Sequence, residues 1–307
     1  MSHAIAINRL IKHYGNRRVV DVVNLNIPVG CVYGFLGRNG AGKSTLIKML
    51  MGMVQPDIGD ATVLGEDIGA IRPETRSRIA YLAEGHPLYR WMTVAEAVRF
   101  TRGFYQRWEG TFVEEVLDHF RIAQRARVGK LSNGQKAQVS LALALAQDPE
   151  LLVLDDPTLG LDTVVRRDFL ESMIELIQRK GRTIFFSSHI LGDVERVADR
   201  IGVLSDGVLR VDCPTDHFKA ALRRVVFTFT DKVPSFPACP GLVGQRRVGN
   251  KLEVVIVDYG LEHAATAESL GASSTEVLEM NLEDAFIAYT RDNASLLPSL
   301  EREMATC

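Results

Sequence analysis

The sequence predicts an α/β fold: a core sheet holding a phosphate-binding loop, an antiparallel β layer beside it, an inserted helical subdomain, and a small C-terminal α+β domain. Three observations predict this. An apolar run, VYGFLG at 32–37, passes through the glycine-rich GRNGAGKS into KSTLIKMLMGM, whose apolar residues recur at helical spacing, so strand, loop and helix follow one another. Several further apolar runs are continuous rather than alternating, the pattern of strands buried on both faces. Between about 93 and 150 the pattern is helical with no convincing strand, and near 225 the composition changes. The chain therefore divides into a first domain at 1–222, with the helical subdomain inside it, and an accessory domain at 223–307.

In chain order, AIAINRL at 4–10 and VVDVVNLNI at 19–27 flank the turn-like HYGNRR and read as a hairpin or sheet edge. After the phosphate-loop unit come strand candidates ATVLG at 61–65, IAYLAE at 79–84, LLVLD at 151–155 and TIFFSS at 183–188, all expected to be buried on both faces. RIGVLSDGVLRV at 200–211 is a hairpin folded across Asp206 and Gly207, a favoured two-residue turn. The accessory domain is assembled from VVFTFTD, PSFPACPG, LEVVIVD, a helix at 260–271, STEVLEM and a last helix NLEDAFIAYT at 281–290. There is no internal repeat, and LLPSLEREMATC at 296–307 is expected to fray.

Composition narrows the function classes. Of 307 residues, 38 are acidic and 36 basic, so a net charge of -2 offers no general attraction to nucleic acid or anionic lipid. Cys31, Cys213, Cys239 and Cys307 lack metal-ligand spacing and are expected to be free thiols in cytosol. The N-terminus lacks a signal-peptide core, and apolar stretches such as VSLALALA at 139–146 are too short to span a bilayer. Work at a membrane would need a second polypeptide.

The chemistry is concentrated in two places. GRNGAGKS at 37–44 has the two glycines, lysine and serine of a phosphate-binding loop, which makes the core a P-loop ATPase core. Glycines let backbone N–H groups turn in around phosphates, the helix presents its positive N-terminus, Lys43 reaches the terminal phosphates, and Ser44 can hold Mg²⁺. Candidate nucleotide contacts are Gly37, Asn39, Gly40, Gly42, Lys43, Ser44 and Thr45. LLVLDDP at 151–157 is a buried strand ending in two carboxylates, of which Asp155 would bind Mg²⁺. By itself this could equally be a strand end capped before proline.

With LSNGQ at 131–135 lying between these elements, the chain resembles the ABC ATPase family over about its first 220 residues. GLD at 160–162 matches the family's D-loop, SSH at 187–189 places His189 as the γ-phosphate sensor, and Tyr14 in KHYG takes the place of the aromatic that stacks on adenine. The resemblance implies that ATP lies between one chain's phosphate loop and the Ser132, Gly134 and Gln135 of another, so a homodimer or paired ATPase is expected. It also implies an integral-membrane permease partner, and a place on the cytoplasmic face of the cell membrane. Residue by residue, other readings remain: Tyr14 could be a packed strand aromatic, His189 a strand-end cap, and Ser132 simply the cap of the following helix.

Three positions depart from the family. Asp156 stands where a glutamate normally polarises the attacking water, and a carboxylate withdrawn by about an ångström can cost on the order of a hundredfold in rate. Hydrolysis is therefore expected to be slow. Glu84 replaces the usual glutamine, able to meet Mg²⁺ but adding negative charge near the phosphates. Asn133 replaces a glycine, and asparagine best tolerates positive φ.

NLEDAFIAYT is similar to the closing LEDVF-type helix of ATPases that serve export-type permeases, with Leu282, Ala285, Phe286 and Tyr289 on one face. In this reading the segment from Glu84 to about 108 contacts the permease, with Leu88, Tyr89, Trp91 and Met92 as apolar anchors. Two other functions compete. A soluble ABC protein acting on ribosomes or DNA would carry two fused halves or a coiled-coil insert, neither of which is visible, so no nucleic-acid partner is expected. A regulatory module in which Asp156 has nearly abolished turnover would use closure itself as the output.

Overall fold

A computed structural model describes residues 2–178, 181–290 and 300–301. The chain opens with two long strands, β1 (His3–Tyr14) and β2 (Arg17–Pro28), followed by β3 (Val32–Leu36), α1 (Lys43–Leu50), β4 (Ile58–Val63), β5 (Glu66–Asp67), α2 (Pro73–Arg76) and β6 (Ile79–Leu82). The helical segment holds α3 (Val94–Arg102), α4 (Gly110–His119) and α5 (Asn133–Leu145). Then come β7 (Leu151–Leu154), α6 (Thr163–Gln178), β8 (Thr183–Ser188), α7 (Leu191–Val197), β9 (Arg200–Ser205), β10 (Val208–Pro214) and α8 (Thr215–Ala221). The C-terminal part is β11 (Leu222–Thr228), β12 (Leu242–Val248), β13 (Lys251–Val257), α9 (Leu261–Ser269), β14 (Ser274–Glu279), α10 (Leu282–Thr290) and the short β15 (Leu300–Glu301).

The central sheet has the order β15-β10-β9-β3-β8-β7-β6, with β9, β3, β8, β7 and β6 all parallel and β10 turned back on β9. Its inner strands β3, β7, β8 and β9 obey the period of two with both faces buried. Val32, Leu36, Leu152, Leu154, Ile184 and Phe186 point into one core, which they share with α5, α6 and α7. Tyr33, Phe35, Leu151, Val153 and Phe185 point into the other, against α1 and the first sheet. Gly34 in β3 is required by close packing: a Cβ there would come within 2.3 Å of Val194 Cγ1 on α7.

The first sheet, β2-β1-β4-β5, is the expected antiparallel layer, and its turn is only Gly15 and Asn16 because His13, Tyr14 and Arg17 are paired within the strands. One strand expectation is corrected here. The run at 61–65 is not a core strand buried on both faces. Residues 61–63 are the end of β4, which pairs antiparallel to β1 and has its own first three residues exposed. The apolar ATVL end is short, and the preceding Ile58, Gly59 and Asp60 extend the strand into solvent. The hairpin at Asp206 and Gly207 forms as expected, with both residues at positive φ, 49° and 81°.

α5 joins the helical subdomain to the core by being apolar on nearly all sides: Leu141 and Leu145 enter the central core while Val139 and Leu143 pack with Val94, Val113 and Val116 of α3 and α4. The C-terminal sheet, β12-β13-β11-β14, has a core of its own around Phe227, Phe229, Phe236, Val254 and Ile256. α10 does not join that cluster. Its Leu282, Ala285, Phe286 and Tyr289 are buried in the central core with residues of α7, α8 and β9, Tyr289 lying 5.8 Å from Phe218 between ring centroids. The tail expected to fray lies outside the described residues except for 300–301, which pair parallel to Val211 and Asp212. Cys213 and Cys239 are free thiols, Cys31 is buried, and Cys307 lies outside the described residues.

Candidate nucleotide site

A cavity of about 380 Å³ opens above the C-terminal ends of the parallel strands, lined by Arg17, Val19, 39–45, Glu84, Asp155 and Asp156. Its floor is the turn between β3 and α1. Gly42 adopts φ 110°, and a Cβ there would lie 2.4 Å from the Val19 carbonyl oxygen, so only glycine fits. It sits at the N-cap of α1 with no side-chain cap, which leaves the first N–H groups of the helix free for an anion. Lys43 is buried, its Nζ donating to the Gly37 carbonyl at 2.7 Å and lying 3.4 Å from that of Arg38. Burial lowers the Lys43 pKa, opposed by the negative charges of Asp156, Asp155 and Glu84.

β7 delivers the two aspartates to the opposite wall. Asp155 Oδ1 accepts from Ser44 Oγ at 3.0 Å and from Ser187 Oγ at 2.9 Å, which links the first turn of α1, the end of β7 and the end of β8. Ser187 Oγ in turn accepts from the Asp156 N–H at 2.9 Å. The nearby Tyr81 hydroxyl is pushed up to about 12 by burial and by the charges of Asp155 and Glu84.

Asp156 takes a left-handed backbone, φ 46°, which an aspartate tolerates better than a longer side chain. Its Oδ2 lies 2.6 Å from His189 Nδ1, while its Oδ1 is buried with no hydrogen-bond partner. A buried orphan acceptor facing this wall suits a water or hydrated ion. Ser44, Asp155 and Glu84 add hard oxygen donors of the kind Mg²⁺ takes. Among the described residues no group of three or more His, Cys, Asp or Glu is placed to hold a metal ion.

The remaining candidates divide. Tyr14 is 52% exposed at the end of β1, is not among the residues lining the cavity, and has Lys12 Nζ 5.8 Å from its ring centroid. It is therefore not a packed strand aromatic. Ser132, Gly134 and Gln135 also lie outside the cavity lining. Ser132 caps α5, its Oγ accepting from the Gln135 N–H at 3.2 Å while Gln135 Oε1 accepts from the Ser132 N–H at 3.1 Å. Asn133 is corrected: it is the first residue of α5 and is not at positive φ, so the tolerance expected of asparagine is not used. Instead its Nδ2 sits 3.7 Å from where a Cβ on Gly160 would be, placing LSNGQ beside GLD.

Of the expected apolar anchors, Met92 is buried with Ala97 and Val128, and Leu88 packs on the subdomain core. They are subdomain packing. Tyr89 and Trp91 are exposed and form a chain of ring contacts with Phe100 and Phe104, which were not singled out. Two residues of the site escaped the sequence reading. Ser187 was legible only as part of SSH, and Arg17 carried no signal beyond following the Tyr14 turn.

An ABC transporter family model matches residues 20–159. The bacitracin transport ATP-binding protein BcrA of Bacillus licheniformis is 35% identical over 235 residues, 76% of this chain and 77% of that protein. The Nod factor export ATP-binding protein I of Rhizobium sp. (strain N33) is 39% identical over 209 residues, 66% of this chain and 68% of that one. A solved ATP-binding subunit of an ABC transporter superposes with a TM-score of 0.63 at 28% identity, covering 71% of this chain and 92% of that chain.

Proposed function

Since the chain belongs to the family of ABC transporter ATP-binding subunits, we propose that it is the motor of an export system: two copies close on MgATP and drive a separate membrane permease. The observation that carries this is the convergence of Lys43, Ser44, Asp155 and Asp156 on one cleft, with His189 held against Asp156 behind it, while the capped start of α5 stays outside. A cleft of this kind is completed by Ser132, Gly134 and Gln135 of a second copy. Mg²⁺, when bound, would neutralise phosphate charge between Ser44, Asp155 and Glu84.

Asp156 orients the attacking water and takes its proton at Oδ1, with His189 holding Oδ2 and meeting the γ-phosphate from the other side. Lys43 leaves its loop carbonyls for the terminal phosphates. Tyr14 stacks on the adenine at the rim. The exposed Tyr89, Trp91, Phe100 and Phe104 form the permease-facing patch, because contiguous exposed aromatics mark interaction surfaces. Among the described residues no helix is long and apolar enough to cross a membrane, so that partner supplies the spans. The likeness to the Nod factor export protein and the LEDAF helix favour export. Residues 1–222 form the nucleotide-binding domain in this reading and 223–307 the accessory one.

Light scattering with and without MgATP, together with co-purification from membranes, tests the proposal. A chain that binds ATP but stays monomeric and brings down no integral-membrane protein would overturn it.

A further inference from the structure

We propose that Arg17 is a second cation of the nucleotide site, held on the outer face of the phosphate loop to meet the polyphosphate; this rests on reading the cleft as an ATP site. Charge gives the first reason. The cavity is lined by three carboxylates, Glu84, Asp155 and Asp156, against two cations, Lys43 and Arg17. Glu84 contributes a charge where the family usually has a neutral glutamine, so one ammonium is set against more negative charge than a phosphate loop ordinarily faces.

Position gives the second reason. Arg17 opens β2 and is paired across the hairpin with Tyr14, so adenine stacking and Arg17 are set by the same turn. Its two basic neighbours are engaged elsewhere: Lys12 Nζ is 2.8 Å from Asp57 Oδ1, and Arg18 Nη1 is 2.8 Å from Asp21 Oδ1. Arg17 has no carboxylate partner among the described residues. Its Nη2 donates to the Gly40 carbonyl at 3.4 Å, a long bond that leaves most of its five donors unused. Nothing lies within 4 Å of a Cβ position on Gly40, so the loop is open to the guanidinium on that side. A guanidinium is charged at any working pH and meets phosphate oxygens in a bidentate fork.

The competing role is a brace, in which Arg17 only steadies the loop through the Gly40 carbonyl. Substitutions separate the two, because glutamine keeps an N–H donor without charge and lysine keeps charge. MgATP, MgADP and AMP are titrated into the full chain carrying Arg17→Ala, Arg17→Gln, Arg17→Lys or Lys43→Ala, with thermal unfolding of each apo protein confirming the fold. Arg17→Ala and Arg17→Gln are expected to weaken MgATP and MgADP about tenfold, AMP much less, and Arg17→Lys to recover most of the loss. Wild-type MgATP affinity in Arg17→Ala, or recovery by glutamine as complete as by lysine, would overturn the proposal while leaving the ATP site standing. If Lys43→Ala also binds MgATP as wild type does, the reading of the cleft itself falls.

Discussion

Asp156 decides whether the shortened carboxylate is a handicap or a refitted base. Sequence alone leaves both open, because neither its backbone nor its neighbour is legible in LLVLDDP. The structure supplies both facts: φ is 46°, and Oδ2 already reaches His189 Nδ1 at 2.6 Å. A glutamate here would add one carbon–carbon bond, about 1.5 Å, and drive the carboxylate into the imidazole. It would also hold a longer side chain in left-handed backbone, costing on the order of 1 kcal/mol. Asp156→Glu is therefore expected to lower turnover at saturating MgATP, as is Asp156→Asn, which removes the base and leaves affinity nearly unchanged. A faster glutamate variant would show instead that the wild-type aspartate holds water poorly, and an indifferent asparagine variant would place the base elsewhere. Lys43→Ala acts on binding rather than turnover: the phosphates lose the buried ammonium of the loop, and MgATP affinity should fall more than about tenfold in an equilibrium titration.

At the scale of elements, the hairpin of β1 and β2 carries Tyr14 and Arg17, and its tip is tied down by one carboxylate from the loop before β4. Asp57 accepts from Lys12 Nζ at 2.8 Å and from the His13 N–H at 2.6 Å. The Lys12 hydrogen bond, then that of the His13 backbone, hold its carboxyl down at about 2. A depressed carboxylate stabilises the fold above its unfolded pKa and loses that contribution as pH falls, here from about 4 towards 2. Asp57→Asn should flatten the decline of the unfolding midpoint across that window and weaken MgATP severalfold at neutral pH by loosening the tip. An unchanged affinity would mean that the hairpin holds its shape without Asp57. Such ties between elements are what the sequence conceals. The elements themselves were legible wherever pattern and chemistry agreed: the strand–loop–helix at GRNGAGKS, the doubly buried runs of β7 and β8, the Asp206–Gly207 turn. β12 was missed because it runs into the polar, exposed Gln245, Arg246 and Arg247 with no alternation to see. The apolar face of α10 predicted burial correctly, but periodicity cannot name the partner, which proved to be the central core and not the small sheet alone.

For the whole molecule, the distribution of the site matters more than any one residue in it. Lys43, Ser44, Asp155 and Asp156 line one cleft, whereas Ser132, Gly134 and Gln135 do not, so in the proposed reading these three reach the nucleotide only from a second copy. Ser132 has two roles to separate: it caps α5, and in the proposed dimer it faces the other copy's γ-phosphate. Removing the cap costs about 1 kcal/mol of helix stability whatever the dimer does. Blocking the interface should cost dimerisation alone. Ser132→Ala loses the cap and adds no bulk, so it should lower the unfolding midpoint slightly and still dimerise with MgATP, with reduced affinity. Ser132→Arg loses the same cap and places a long cation at the helix start, so it should bind MgATP as a monomer with normal affinity and yet fail to dimerise. Light scattering of wild type and both variants, with and without MgATP, reads the difference. If arginine and alanine behave alike, the helix cap accounts for everything Ser132 does. If the arginine variant dimerises normally, the second half of the site is not LSNGQ, and the pairing of two copies around ATP must use another surface.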